Sequence, residues 1–176
     1  MKKLFVVGVI AVWSLAAHGQ ASPAYKGAPP VFIGGFFSGI NPDFTSSTIQ
    51  GIGAYLDLPI WRIVGVEGEL RFGNWHTPSN GVKESTYLGG PRIAYPIYSG
   101  KFVPYVKVLI GGGGFTYPLN GGHDQHTVVA FGGGIDYRLT DRFYIRGDYE
   151  QQRWSFGNGT ISPSTLSAGV GYRIFR

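Results

Sequence analysis

Between Phe143 and Trp154 the side chains sort into two sets. Phe143, Ile145, Gly147 and Tyr149 form one, and Tyr144, Arg146, Asp148, Glu150 and Gln152 the other. Successive side chains of a β-strand point to opposite faces, so an alternation this long predicts a strand. A helix would scatter Arg146, Asp148 and Glu150 around its circumference, whereas a strand places all three on one face. The fold then turns on which face looks inward.

The same period recurs along the chain. Val31–Ile40 is a first strand, its phase blurred by Gly34 and Gly35, and Asn41-Pro42-Asp43 is turn chemistry. Gln50–Leu58 sets Ile52, Ala54, Leu56 and Leu58 against Gly51, Gly53, Tyr55 and Asp57, with a turn expected at Pro59–Trp61. Arg62–Asn74 sets Val64, Val66, Leu70 and Phe72 against Glu67, Glu69 and Arg71. In Glu84–Tyr95 the faces are Tyr87, Ile93 and Tyr95 against Thr86, Gly90 and Arg92. Pro91 brings no N–H to a ladder there and predicts a bulge.

Lys101–Phe115 opposes Val106, Val108 and Ile110 to Tyr105 and Lys107, and His126–Leu139 opposes Val129, Phe131, Ile135 and Tyr137 to Asp136 and Arg138. The final strand, from Thr165, sets Leu166, Ala168, Val170, Tyr172 and Ile174 against Ser167, Gly169, Gly171 and Arg173. That makes eight strands with long and short connections alternating and no internal helix. Trp75–Lys83, Thr116–Gln125 and Ser155–Pro163 read as long loops. A three-residue turn, Thr140–Arg142, would pair Leu139 with Phe143 and set Asp136 opposite Arg146. A two-residue turn would slip the register by one and oppose Asp136 to an apolar-face residue.

The polar faces decide the inside. Their acids are Asp57, Glu67, Glu69, Asp136, Asp148 and Glu150; their bases are Arg71, Arg92, Lys107, Arg138, Arg146 and Arg173. Six against six is neutral, and the excess of positive charge falls in turns and ends, at Arg62, Lys101, Arg142 and Arg176. A solvated face has no need of such balance, while an enclosed one does, because an unpaired buried charge is costly. These twelve residues are therefore expected to form an ion-paired lumen, with the apolar faces outside in lipid. In lipid every backbone amide must be bonded, so the sheet must close. Eight strands leave an interior just wide enough for side chains, and Gly51, Gly53, Gly90, Gly111, Gly132 and Gly134 make room for them. The expectation is an all-β, closed, eight-stranded antiparallel transmembrane β-barrel of up-and-down topology.

Aromatic residues fit two belts at the lipid boundaries. Trp61, Tyr95, Tyr98, Phe143 and Tyr172 lie near the short turns, and Trp75, Tyr87, Phe115, Tyr117 and Trp154 near the long loops. A soluble secreted barrel with its polar face out is the alternative that alternation alone leaves open.

Residues 1–21 read as a secretory signal, with Lys2 and Lys3, the apolar run Leu4–Ala17, and Gly19-Gln20-Ala21 before the cleavage point. Residues 22–176 are then the barrel domain. Without Lys2 and Lys3 the chain keeps 13 Lys and Arg against 10 Asp and Glu. No clustered basic tract remains, so nucleic acid is excluded as a partner. The absence of cysteine removes disulfides and thiolate chemistry.

Leu166-x-Ala168-x-Val170-x-Tyr172-x-Ile174 resembles the C-terminal signature of outer-membrane barrels, which is read by the barrel-assembly machinery. Gly90-Pro91-Arg92, Pro104-Tyr105-Val106-Lys107 and Arg146-Gly147-Asp148-Tyr149-Glu150 are similar to small barrels of the OmpA-like, outer membrane protein β-barrel domain family. The resemblance implies the bacterial outer membrane, with outer-membrane lipid and the assembly machinery as partners, and it brings no catalytic residue. Two departures stand out: Ile174 takes the position usually held by a terminal aromatic, with Phe175-Arg176 beyond it. The peptidoglycan-binding domain of full-length OmpA-type proteins has no counterpart in the likeness, so that function does not carry over.

Other chemistry is weaker. His123-Asp124-Gln125-His126, with His76 on the same rim, is the best metal-like cluster, but H-x-x-H in a loop is a weak signal for zinc. Glu67 with Glu69, and Asp148 with Glu150, resemble acid–base pairs; an arginine two residues away on the same face favours ion pairing. No His-x-Ser pattern of the lipid-deacylase kind exists, and Gly111–Gly114 is not followed by the Lys-Ser/Thr of a phosphate loop. The expected function is a non-enzymatic barrel with a structural or surface-interaction role, four outer loops, and neither cofactor nor metal. The alternatives are a lipid-modifying enzyme and a narrow pore.

Overall fold

The computed structural model describes residues 30–41, 48–74, 83–116, 123–156 and 159–174. The expected signal segment, the lead-in before Pro30, His76, Trp75, Tyr117 and Phe175-Arg176 lie outside the described residues.

The strands are β1 (Phe32–Asn41), β2 (Ile49–Trp61), β3 (Val64–Asn74), β4 (Lys83–Ala94), β5 (Phe102–Thr116), β6 (His123–Arg138), β7 (Phe143–Phe156), the short β8 (Gly159–Ile161) and β9 (Ser164–Arg173). From β1 to β7 each pairs antiparallel with its neighbour in the chain. Pairing of β7 with β9, and of β9 with β1, closes the ring. The result is a closed, eight-stranded antiparallel barrel, which leaves no edge unpaired. The short β8 continues β9 along the same edge of β7 and in the same register, opposing Ile161 to Trp154 and Gly159 to Phe156, and the Gln152 N–H donates to the Pro163 carbonyl at 2.9 Å between them. It falls inside the stretch expected to be loop, because β7 continues past Trp154 and the chain folds back on it.

The three connections between β2 and β3, β4 and β5, and β6 and β7 are short and share one end of the barrel. The last of them has the register expected of a three-residue turn: Arg138 faces Tyr144 and Asp136 faces Arg146. Leu139 N–H donates to the Phe143 carbonyl at 3.0 Å, and the Thr140 hydroxyl accepts from the N–H of Arg142 and Phe143 at 3.2 and 3.0 Å. A hydroxyl thus holds the turn that fixes the register.

Two local expectations are corrected. Pro59 and Trp61 are still paired, with Gly65 and Val64, and the turn proper is Arg62-Ile63. The register shifts between Pro59 and Trp61, which gives β2 one extra residue, and Arg62 takes a left-handed φ of 34°. Pro91 produces no bulge: it faces Val66 in register, and the β4–β5 ladder keeps one register on both sides of it. The pairs at Gly90 and Pro91 simply drop out on the β5 side. The missing N–H thus costs ladder contacts rather than alignment.

Strand alternation separates the two faces. The outer face exposes Ile52, Val106, Ile110, Leu166 and Val170, each at 60% or more. The inner face buries Asp57, Glu67, Arg71, Lys107 and Glu150, each at 3% or less. Trp61, Tyr95, Tyr98 and Phe143 are exposed at the short-turn end, with Tyr172 edge-on to Phe143, and Tyr87 is exposed toward the other end. Trp154 does not belong to a belt. It is fully buried inside the barrel, in phase with Glu150 and Gln152.

Candidate functional site

The interior is layered along the barrel axis, and each layer follows from strand register. At the short-turn side of the middle, Asp57 from β2, Arg92 from β4, Asp136 from β6 and Arg146 from β7 form a tetrad. Arg146 Nε donates to Asp136 Oδ1 at 2.8 Å, and its Nη2 to Asp57 Oδ2 at 2.5 Å. Arg92 donates through Nη1 to the same Asp57 oxygen at 3.0 Å and through Nη2 to Asp136 Oδ2 at 2.5 Å. Each carboxylate therefore meets two guanidinium forks, a geometry suited to arginine's planar donors. The forks are also stacked on rings: Arg146 lies 3.6 Å from the Tyr55 centroid, and Arg92 4.0 Å from that of Tyr105.

One layer further from the short turns the arrangement changes. Lys107 Nζ lies 2.8 Å from Glu67 Oε1, 2.8 Å from Glu69 Oε2, and 3.2 Å from both Asp148 Oδ1 and Glu150 Oε2. These four carboxylates come from two strands, β3 and β7, and the lysine from β5 reaches between them. Glycine makes this possible. In register Lys107 faces Gly132, and Gly132 faces Glu150; Tyr105 faces Gly134, and Gly134 faces Asp148. With no side chain on β6, Lys107 spans to Glu150, and the Tyr105 hydroxyl donates to Asp148 Oδ2 at 2.6 Å. A Cβ on Gly132 would lie 3.1 Å from Lys107 Cε, and one on Gly134 2.8 Å from the Tyr105 oxygen.

Glu67 ties the two layers together, accepting from Arg146 Nη1 at 3.1 Å as well as from Lys107. Arg71 closes the second layer, pairing with Glu69, with Glu150 at 3.2 Å, and with the Thr165 hydroxyl at 3.1 Å. Above it, Trp154 Nε1 donates to Gln152 Oε1 at 2.8 Å, and Gln152 Nε2 to Glu150 Oε1 at 2.7 Å. The last layer is apolar: Leu88, Leu109, Val128, Ala130 and Trp154 form a buried cluster, with Ile161 of β8 against it.

Of the twelve residues that the alternation assigned to the interior, ten meet in these contacts: Asp57, Glu67, Glu69, Arg71, Arg92, Lys107, Asp136, Arg146, Asp148 and Glu150. Arg138 and Arg173 do not. They lie where β6 and β9 end, half-buried at the short-turn mouth, and have no ion pair among the described residues. Glu84 is a further inward carboxylate, 5% exposed, that the reading missed. It is in phase with Thr86 and Arg92, which was the available signal, but it sits at the very start of β4. The buried charges are therefore seven acids against Arg71, Arg92, Lys107 and Arg146, not an even balance.

Glu69, Asp148 and Glu150 each offer an oxygen within 4.8 Å of the others, a spacing that suits a metal ion. The Lys107 ammonium lies within 3.2 Å of an oxygen of each, so a cation is already supplied by the chain. The side chains of His123 and Asp124, like His76, lie outside the described residues, and His126 lines a surface groove with Ser85, Tyr87 and Gly111–Gly114. Gly111–Gly114 is a paired stretch of β5.

Solved structures with the same fold include Neisserial surface protein A (TM-score 0.69, 13% identity) and the N-terminal β-barrel domain of Pseudomonas aeruginosa OprF (0.61, 18%). A third is Ail, the attachment invasion locus protein of Yersinia pestis (0.56, 18%). Each match covers 85% of this chain and 100% of the other. No curated protein sequence matches the chain. The apolar exterior, the closed ring and the charged interior agree with the family whose model matches residues 7–173: this chain belongs to the outer membrane protein β-barrel domain family.

Proposed function

We propose that the chain resides in the bacterial outer membrane as a non-conducting, non-enzymatic barrel with a structural or surface-interaction role. Its lumen is held shut by ion pairs, and four loops, at the end opposite the short turns, face the outside. Residues 1–21 direct secretion and are removed, and β9 is the segment read by the assembly machinery. The observation that carries this reading is the Lys107 centre. An ammonium held by four carboxylates, with the apolar cluster around Trp154 stacked on it, fills the cross-section where an ion would have to pass. An eight-stranded barrel has no width to spare for a bypass. The solved relatives named as a surface protein and as an attachment invasion locus protein support a role at the cell surface.

A narrow pore is the second reading, favoured by the excess of buried acids over bases, which would select cations if the pairs parted. Planar-bilayer recording separates the two. A closed lumen gives no stable openings, whereas frequent long-lived, cation-selective openings in the intact protein would overturn the proposal. Fractionation with the inner membrane or the periplasm would overturn the location.

A further inference from the structure

The short-turn mouth contains a feature that neither the ion network nor the membrane face uses. A cavity of about 240 Å³ opens there, lined among others by Phe32, Asp57, Arg62, Arg92, Asp136, Arg138, Tyr144 and Arg173. Its volume is that of roughly eight waters. Its floor is the tetrad, where Asp57 and Asp136 are each bonded by Arg92 and Arg146, so the floor carries no net charge. Its rim holds Arg62, Arg138 and Arg173, while the two acids of the lining, Asp57 and Asp136, are paired with Arg92 and Arg146.

Among the described residues three buried donors of the lining, Arg92 Nε, Arg138 Nε and the Tyr144 hydroxyl, make no hydrogen bond, and neither does one acceptor, Asp57 Oδ1. Arg92 Nε has the Glu67 carboxylate 3.4 Å away, whereas Arg138 Nε and the Tyr144 hydroxyl have no ion pair. Tyr144 is 5% exposed and Arg138 half-buried. A buried donor left unpaired is costly, so Arg138 and Tyr144, with no carboxylate beside them, call for an acceptor. The Tyr144 ring meets Phe32 edge-on at 5.2 Å, and Arg138 lies 5.7 Å from its centroid, which places the tyrosine ring and the guanidinium side by side in the lining. Arg62 is placed by the left-handed φ of its turn, a conformation that costs energy in a residue with a side chain. Lys101 and Arg142 on neighbouring turns add positive charge, and Asp141, beside Arg142, is an acid on the same end.

We propose that this mouth is a binding site for a small oxyanion, a carboxylate or phosphate group held by Arg138, Arg173 and the Tyr144 hydroxyl, with Arg62 closing over it. Phe32, Pro59 and Val103 in the lining give the site an apolar wall for a short organic tail. The proposal is independent of whether the lumen conducts, since the floor beneath the site is the same in either case.

The test uses the refolded full barrel in detergent micelles, with ¹⁵N-detected arginine Nε–H signals followed during titration at constant ionic strength. Inorganic phosphate and butyrate are the probes, and chloride is the control. The expected result is a saturable shift of the Arg138 signal with phosphate, butyrate or both, but not with chloride. Saturation by phosphate alone assigns the site to phosphorylated ligands, by butyrate alone to carboxylates, and by both to oxyanions in general. Arg173→Gln should weaken binding about tenfold or more, equivalent to one lost charge-assisted contact. Tyr144→Phe, which keeps the ring, should weaken it a few-fold while leaving the heat-resistant gel mobility of the folded barrel unchanged. Shifts that never saturate, shifts reproduced by chloride, or an affinity unaltered in both variants would overturn the site.

Discussion

Two centres one layer apart in the same lumen solve the problem of buried charge differently. In the tetrad, two carboxylates face two guanidinium groups, and every bond has a partner bond beside it. In the Lys107 centre, four carboxylates share one ammonium, with Arg71 helping at Glu69 and Glu150. Arginine's fork divides between fixed oxygens, whereas ammonium is a compact point charge that several oxygens can surround. Losing one cation therefore leaves the tetrad with a second fork in place. The same loss at Lys107 leaves Arg71 alone between Glu69 and Glu150, Glu67 with Arg146, and Asp148 with only the Tyr105 hydroxyl.

The largest expected effect follows from that contrast. Lys107→Met, which keeps the stem and removes the charge, should destabilise the barrel by at least the roughly 3–5 kcal/mol typical of a broken buried pair. Arg92→Met should cost less, because Arg146 still bonds both Asp57 and Asp136. Urea unfolding in lipid vesicles measures both, and equal losses would break the comparison.

The tetrad's own strength is tested by Asp136→Asn, Arg146→Gln and the double variant. Each single change should cost roughly 3–5 kcal/mol, and the double less than their sum, with a coupling of roughly 1–3 kcal/mol. Additive losses would mean that Asp136 is served by Arg92 alone.

A smaller effect sharpens the acid-rich side. Trp154→Phe keeps the apolar cluster but removes the indole donor to Gln152, leaving that buried oxygen unmet at about 1–3 kcal/mol. If Gln152 matters by orienting its amide toward Glu150, Gln152→Leu in the same background should cost less than it does in the wild type.

Much of this arrangement was legible in the chain because a strand's period is short and local. Thr140–Arg142 alone set Asp136 against Arg146, and the alternation in β3 and β7 put Glu67, Glu69, Asp148 and Glu150 inside. What local pattern does not contain is the closure of the ring. That Lys107 of β5 meets carboxylates of both β3 and β7 depends on how the walls face each other and on glycines in the strand between. Strand ends were the other weak point. Glu84 and Trp154 are in phase with their strands but sit at the limits, where a boundary shifted by one or two residues changes the assignment. Arg138 and Arg173 are in phase too, but they lie beyond the last acid layer and so make no ion pair among the described residues.

The smallest effect is expected at Gly147, which lies between Arg146 of one centre and Asp148 of the other. Its position in β7 points outward, and a Cβ there would meet no atom within 4 Å. Its φ is not left-handed, so alanine fits the backbone. Gly147→Ala should then leave stability within about 1 kcal/mol of the wild type, on the stabilising side, because the unfolded chain loses freedom. The same urea experiment reads it. If stability depends on the charges on the inner face, a methyl on the opposite face of the same strand changes neither centre. A loss here comparable to that of Arg92→Met would show that bending of β7, rather than the difference between the two charge arrangements, sets their sensitivity.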